Sequence, residues 1–87
     1  TLVAEFRFLD LVAQQWSGYV FLAHEWEGTP EETPEADPFW CPIAELPFDA
    51  MWDDDRYWLP RVLAGERLRG DFLFDAGRLL AHRLSSL

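Results

Sequence analysis

Large aromatic side chains are the feature that most restricts how this chain can fold. Among 87 residues there are five Trp and seven Phe, and apolar residues make up 49% of the sequence. This composition excludes intrinsic disorder, because the chain has ample apolar surface to bury. A chain this short, however, buries only about 60% of the surface that its unfolded form exposes. So many large aromatics therefore suggest one small domain, or part of one, whose apolar faces expect more protein around them.

The charges are mostly acidic and unevenly placed. Sixteen acidic and seven basic residues give a net charge of −9. Between Glu25 and Asp55 there are eleven acids and no base, whereas the segment from Arg56 to Leu87 carries six Arg and three acids. This balance argues against binding to duplex nucleic acid or to an anionic membrane surface, since both use basic patches. The acidic stretch is either a solvated face or a site for metal cations.

Neither a membrane span nor a targeting segment is recognisable. No apolar run approaches the roughly 18 residues that a membrane-spanning helix needs. A strand pattern begins almost at Thr1 without a basic leader before it, so we expect the true N-terminus to lie upstream. The single cysteine, Cys41, cannot form an internal disulfide and fits a reducing compartment. A cytoplasmic location is therefore expected.

Alternation of apolar and polar residues predicts two strands at the start of the chain. The segment from Val3 to Leu9 places Phe6 and Phe8 on one face, where they would be core residues. After a loose loop over 10–15, residues 16–26 form a second strand that is expected to run antiparallel to the first.

Prolines in the middle of the chain indicate that it contains little regular secondary structure. Residues 27–37 are predicted to be a loop. Residues 39–43 are predicted to form a short strand, either at a sheet edge or at a strand end, because Pro42 interrupts the pattern. Residues 44–52 are expected to be irregular, with one helical turn beginning at Pro47.

The last third predicts a helix and a hairpin. A helix over Asp53 to Ala64 would be capped by its aspartates and stopped by Gly65, with Pro60 kinking it or costing it a hydrogen bond. Residues 67–74 and 78–84 then form a hairpin around 75–77. The element order is β-β-β-α-β-β, which makes the fold class α+β.

The stretch from Met51 to Trp58 is the strongest candidate for a functional site. Asp54 and Asp55 are adjacent carboxylates, with Trp52 and Trp58 on either side. An indole face can stack on a flat heterocycle. Two close carboxyls do not both ionise easily, so one can hold a proton and offer a donor beside acceptors to a purine edge. The alternative is that the carboxylates only cap the helix and the tryptophans are core residues.

Other residue types that could carry chemistry give weaker signals. Divalent cations prefer carboxylate oxygens, so the acidic loop could hold one, although a solvated loop is the alternative interpretation. The acids of that loop are Glu31, Glu32, Glu35 and Asp37. His24, His82 and Cys41 lack neighbours at zinc-site or nucleophile spacing, and there is no glycine-rich phosphate loop.

A series of residues in fixed order carries a family resemblance. Its central string is Pro47-Phe48-x-x-Met51-Trp52-x-Asp54-Asp55-x-Tyr57-Trp58-x-Pro60, preceded by Gly28-Thr29-Pro30, Glu35 and Trp40 and followed by Gly70, Phe72 and Phe74. The pattern resembles the C-terminal part of a MutT-type Nudix hydrolase, specifically the oxidised purine nucleoside triphosphatase (8-oxo-dGTP diphosphatase) group. The implied fold is the later half of a Nudix α/β/α sandwich, with a curved mixed sheet, one main helix at about 53–64 and a C-terminal hairpin.

The resemblance implies a pocket that binds a purine base. The residues matching Asp54 and Asp55 read the purine edge in that group, and the residue matching Trp52 stacks on the base. The residues that match the pocket walls are Phe6, Phe8 and Trp58. The position matching Trp16 also lies near the pocket, although the preceding hairpin differs in length by about one residue. The residue matching Asp53 is Pro in the family, and this departure could alter the rigidity of the segment.

The catalytic signature of the family does not occur in these 87 residues. A Nudix box contains an Arg-Glu pair followed by further glutamates, and no Arg-Glu pair is present here. The expectation is that this chain supplies no catalytic residue and that the glutamates holding Mg²⁺ precede Thr1. Glu35 matches a glutamate near the metals in MutT-like enzymes. Residues 1–87 would then be a partial Nudix domain, either truncated or completed by a second chain.

The activity implied for the intact protein is Mg²⁺-dependent hydrolysis of oxidised purine dNTPs to the monophosphate and pyrophosphate. The substrates would be purine nucleoside triphosphates such as 8-oxo-dGTP and 2-oxo-dATP, and the remainder of the Nudix domain would be the partner. Two alternatives remain at this point. One is a Nudix hydrolase for another substrate linked to a nucleoside diphosphate, and the other is a purine-binding half-protein without catalysis.

Overall fold

A computed structural model describes all 87 residues as one mixed sheet with a single α-helix against it. The elements are β1 (Leu2–Asp10), β2 (Trp16–Phe21), α1 (Asp55–Leu63), β3 (Leu68–Asp75) and β4 (Arg78–Ser86). The strand order is β2-β1-β3-β4, in which β1 pairs antiparallel with β2 and parallel with β3, and β3 pairs antiparallel with β4. The predicted α+β class is confirmed, and the mixed sheet with one helix is consistent with half of a Nudix sandwich.

The core forms where α1 crosses one face of the sheet. Alternate residues of a strand point to the same face, so Phe6 and Phe72 both project toward the helix and toward Val62, the buried residue of α1. Gly70 lies opposite Phe6 in the parallel ladder. A Cβ at Gly70 would come within 2.7 Å of Leu84 Cδ2 and 3.1 Å of Phe6 Cδ1, so a larger residue here would force these side chains to shift.

The opposite face of the sheet carries charged residues. Arg7 on β1 and Arg83 on β4 both pair with Asp71 on β3, at 2.6 and 3.4 Å. These ion pairs are largely exposed, so each contributes little to stability.

The second strand is shorter than predicted. It runs antiparallel to β1 as expected but ends at Phe21 rather than at residue 26. Phe21 pairs with Leu2, the first residue of β1, and the Leu22 amide donates to the carbonyl of Thr1. Residues 23–26 pair with no strand in this structure, so their apolar pattern does not extend the β1–β2 ladder.

The strand predicted over residues 39–43 is wrong. That segment is irregular and leads into a 3₁₀ turn at Ile43–Glu45. Pro38 and Pro42 have no N–H to donate, and no strand lies alongside. The loop over 27–37 is confirmed, as is the single turn after Pro47, a 3₁₀ turn at Phe48–Ala50.

The helix and the hairpin follow the prediction, with shifted ends. Helix α1 begins at Asp55 rather than Asp53, contains Pro60, and is followed by Gly65 at a φ of +102°. The hairpin joins β3 to β4 through Ala76 and Gly77, with φ values of +49° and +84°. Two consecutive positive φ values define the turn type that matches the twist of paired strands. No helix is long and apolar enough to cross a membrane.

Candidate functional site

The largest cavity, of about 660 Å³, lies on the helix side of the sheet, bounded by β1, β2, the start of α1 and the β3–β4 turn. All seven residues that the sequence predicts as substrate-binding line this cavity. They are Phe6, Phe8, Trp16, Trp52, Asp54, Asp55 and Trp58. The structure thus brings residues of β1 and β2 together with residues around the start of α1. Their role in binding stays a prediction.

Aromatic rings form the wall of the cavity on the sheet side. The Phe8 ring is stacked between Trp16 and Phe72, with centroids 5.2 and 5.3 Å away and interplanar angles of 14° and 16°. Phe8 and Trp16 are direct partners in the antiparallel ladder, which explains their contact. The Phe6 ring lies 5.0 Å from that of Trp58 on the helix. This wall is therefore apolar and held in place by ring packing.

Trp52 stands at the rim of the cavity and is 67% exposed. It is therefore not a core residue, in contrast to the alternative interpretation of the tryptophans. A Cβ added at Gly77 would be 3.7 Å from Cζ3 of Trp52, so the ring lies close to the β3–β4 turn. An exposed indole ring beside a cavity has surface available for stacking on a flat ligand.

Asp54 is 5% exposed, although it is a carboxylate at the start of a helix. It occupies the N-cap position, but its side chain makes no capping hydrogen bond, which corrects the predicted capping role. Its Oδ2 instead accepts the indole N–H of Trp58 at 2.8 Å. Asp53 does not cap the helix either, because its Oδ2 accepts the Leu79 amide at 3.1 Å and links the helix start to β4.

Asp55 has a raised pKa. Burial, together with the negative charge of the adjacent Asp54, raises its pKa to about 6, opposed by a hydrogen bond from the Trp52 amide. Asp55 can therefore hold a proton at mildly acidic pH, where an ordinary aspartate is ionised. The pair combines an acceptor fixed by Trp58 with a carboxyl that can act as donor or acceptor.

Asp10 is a cavity residue that the sequence analysis missed. It ends β1, is 7% exposed, and accepts amide hydrogens from Val12, Ala76 and Gly77 at 2.9 to 3.1 Å. These bonds, that from Val12 foremost, lower its pKa, while burial acts in the opposite direction. Aspartate commonly accepts the amide two residues ahead, so an Asp at a strand end was the available signal. No sequence signal indicated the hydrogen bonds that Asp10 accepts from the distant turn.

The metal assignment rests on Glu35 alone. Glu35 lies in the exposed loop, where its amide donates to Thr33 Oγ1 at 3.3 Å, and it does not line the cavity. The structure contains no group of three or more His, Cys, Asp or Glu side chains that could hold a metal ion. The assignment of Glu35 as a metal ligand stays a prediction.

Fold and cavity together define a four-stranded mixed sheet with an aromatic pocket beside a pair of carboxylates. No family model matches the chain. It is 36% identical over 70 residues to an oxidized purine nucleoside triphosphate hydrolase of Danio rerio, covering 79% of this chain and 45% of that protein. It is also 36% identical over 67 residues to the protein of the same name from Mus musculus, covering 76% of this chain and 43% of the relative.

These relatives confirm the resemblance to the MutT-type Nudix hydrolases. Within that class, the similarity is to the oxidised purine nucleoside triphosphate hydrolases. The chain spans less than half the length of the curated relatives it matches, which is compatible with a C-terminal portion.

Proposed function

We propose that the protein containing this chain hydrolyses oxidised purine nucleoside triphosphates, and that these 87 residues supply its base pocket. The observation that carries the proposal is the convergence of aromatic rings and the Asp54–Asp55 pair on one cavity of about 660 Å³. That volume lies within the usual range for small-molecule sites. The names of the two relatives support the same substrate class.

The carboxylate pair is suited to reading a base edge. Asp54 accepts from Trp58 and has further lone pairs, whereas Asp55 offers a donor when it is protonated. A pKa of about 6 leaves Asp55 mostly ionised at pH 7. A base atom that accepts a hydrogen bond would raise that pKa further, because such a bond favours the protonated form. Guanine-like and adenine-like edges demand opposite donor patterns, which a titratable pair can supply.

We further propose that hydrolysis yields the monophosphate and pyrophosphate and depends on Mg²⁺. The ion would be held mainly by carboxylates outside these 87 residues, with Glu35 as the candidate within them that the family resemblance indicates. Purified residues 1–87, supplied with Mg²⁺ and 8-oxo-dGTP, should therefore show no turnover. Turnover of roughly 1 s⁻¹ or more would contradict this division of the site.

Substitution of each aspartate in the full-length protein tests the base-reading role. Asp54→Asn and Asp55→Asn keep size and planarity but fix a donor where a titratable carboxyl stood. Losing one buried hydrogen bond to a charged group costs roughly 1.5–3 kcal/mol, or about 10- to 150-fold. We expect this loss in kcat/KM for 8-oxo-dGTP and 2-oxo-dATP, unequal between the two variants, with dCTP spared.

The control is Asp71→Asn, which removes a carboxylate from the opposite face of the same sheet. It should leave the ratio of kcat/KM between 8-oxo-dGTP and dCTP unchanged. Asn caps a helix about as well as Asp, so a pair that only capped α1 would give no change. An equal loss on all three substrates, or none, rejects the base-reading assignment.

A further inference from the structure

The carboxylate of Asp10 joins two parts of the chain that are distant in sequence. Its Oδ1 accepts the amides of Val12 and Ala76, and its Oδ2 accepts the amide of Gly77 at 3.1 Å. The end of β1 is thereby tied to the turn between β3 and β4. Both oxygens are engaged and accept three hydrogen bonds in all, a role that suits an ionised carboxylate, which only accepts.

The turn that Asp10 holds is itself part of the cavity wall. Ala76 and Gly77 both line the cavity, and Gly77 lies against the exposed ring of Trp52. Ala76 has a φ of +49°, a conformation that is unfavourable for a residue with a Cβ. Hydrogen bonds from outside the turn therefore help to keep it in this geometry.

We propose that Asp10 is a positioning residue for the base pocket, acting through the Ala76–Gly77 turn on the Trp52 ring. The inference rests on the proposed function, since Trp52 matters here as the surface on which a base would stack. Asp10 fixes the turn, and the turn limits how far the indole ring can swing out of the cavity. The carboxylate thus sets the position of the stacking surface without touching the phosphates.

Asp10→Asn in the full-length protein is the direct test. If the asparagine oxygen takes the place of Oδ1, its NH₂ group meets the Gly77 amide, and two donors then face each other. We expect the KM for 8-oxo-dGTP to rise roughly 10-fold, the lower end for a lost bond to a charged group. The kcat for 8-oxo-dGTP and the KM for dCTP should stay within about twofold of wild type, because phosphate contacts are unchanged.

A double variant shows whether Asp10 acts through Trp52. Residues that act through one another give non-additive losses. We therefore expect Asp10→Asn combined with Trp52→Ala to be no worse than Trp52→Ala alone. The matched control is Asp75→Asn, which removes an exposed carboxylate beside the same turn but outside the cavity lining. It should keep the wild-type KM.

A second variant guards against simple loss of folding. Ala76→Gly removes the Cβ that opposes the positive φ, so it should restore stability to Asp10→Asn without restoring the acceptor. The KM for 8-oxo-dGTP should remain raised in this combination. A wild-type KM for 8-oxo-dGTP in Asp10→Asn combined with Ala76→Gly overturns the inference. Losses from Asp10→Asn and Trp52→Ala that multiply in the double variant also overturn it.

The same assays separate this inference from the proposed function. A wild-type protein that shows no preference for 8-oxo-dGTP over dCTP rejects both. A wild-type preference that survives Asp10→Asn intact rejects only the positioning role.

Discussion

Trp58 donates its indole N–H to the carboxylate of Asp54 across one turn of helix α1, at 2.8 Å. The same indole ring packs 5.0 Å from Phe6 in the core. One side chain therefore connects the core to the buried carboxylate of the candidate site. This bond also explains why Asp54 sits at the N-cap position without capping, since its side chain is turned toward Trp58.

Trp58→Phe keeps an aromatic ring but removes the donor to Asp54. A buried carboxylate that loses a hydrogen bond costs about 1.5–3 kcal/mol, so we expect the free energy of unfolding to fall by that amount. Urea unfolding of the full-length protein measures it. Trp40→Phe is the control, because Trp40 is 71% exposed and lies outside the cavity. Equal stability of the two variants would contradict a structural role for the bond.

Stability should depend on pH through Asp55. Its pKa of about 6 in the folded chain exceeds that of an unfolded aspartate, about 3.9. The folded state therefore binds the proton more tightly, and this contribution is complete below pH 4 and lost as pH rises through 6. In Asp55→Asn the decline in unfolding free energy between pH 5 and pH 7.5 should be smaller than in wild type. Parallel pH profiles for the two proteins would show that Asp55 has an ordinary pKa.

Ala76→Gly should stabilise the β3–β4 turn. Ala76 has a φ of +49°, and this conformation costs an L-residue roughly 1–2 kcal/mol, whereas glycine adds an entropic cost of roughly 0.5–1 kcal/mol. The expected net gain is about 0.5–1 kcal/mol in the free energy of unfolding, measured by urea titration. Ala81→Gly, in the middle of β4, is the opposite control and should destabilise. A loss of stability in Ala76→Gly would mean that the turn has another conformation in solution.

The 87 residues expressed alone should be poorly folded. Only ten of them are buried, while Trp16, Trp52 and other large apolar side chains remain exposed. We expect such a chain to bind a hydrophobic dye and to unfold without a sharp thermal transition. The full-length protein, measured in parallel, should bind less dye and unfold cooperatively. A cooperative transition of residues 1–87 without dye binding would contradict the expectation.

Much of the fold could be predicted because the deciding signals are local. The alternation from Val3 to Leu9 predicts β1 within one residue at each end, and Gly65 and Gly77 mark the end of the helix and the hairpin turn. The seven candidate pocket residues also came from the sequence, because the string around Trp52 carries the family pattern. Their common cavity was expected only through the family resemblance, because no local pattern relates β1 to the start of α1, about 45 residues away.

The sequence by itself determined the fold class, the turn chemistry and the residue types of the candidate site, because alternation, helix stops and motifs act over a few neighbouring residues. Tertiary structure decided the rest. It left residues 39–43 without a strand to pair with. It also turned Asp54 toward Trp58 and placed Asp10 against a turn 66 residues away. A strand needs a neighbour and a buried carboxylate needs donors, and which segments supply them is settled only when the chain packs.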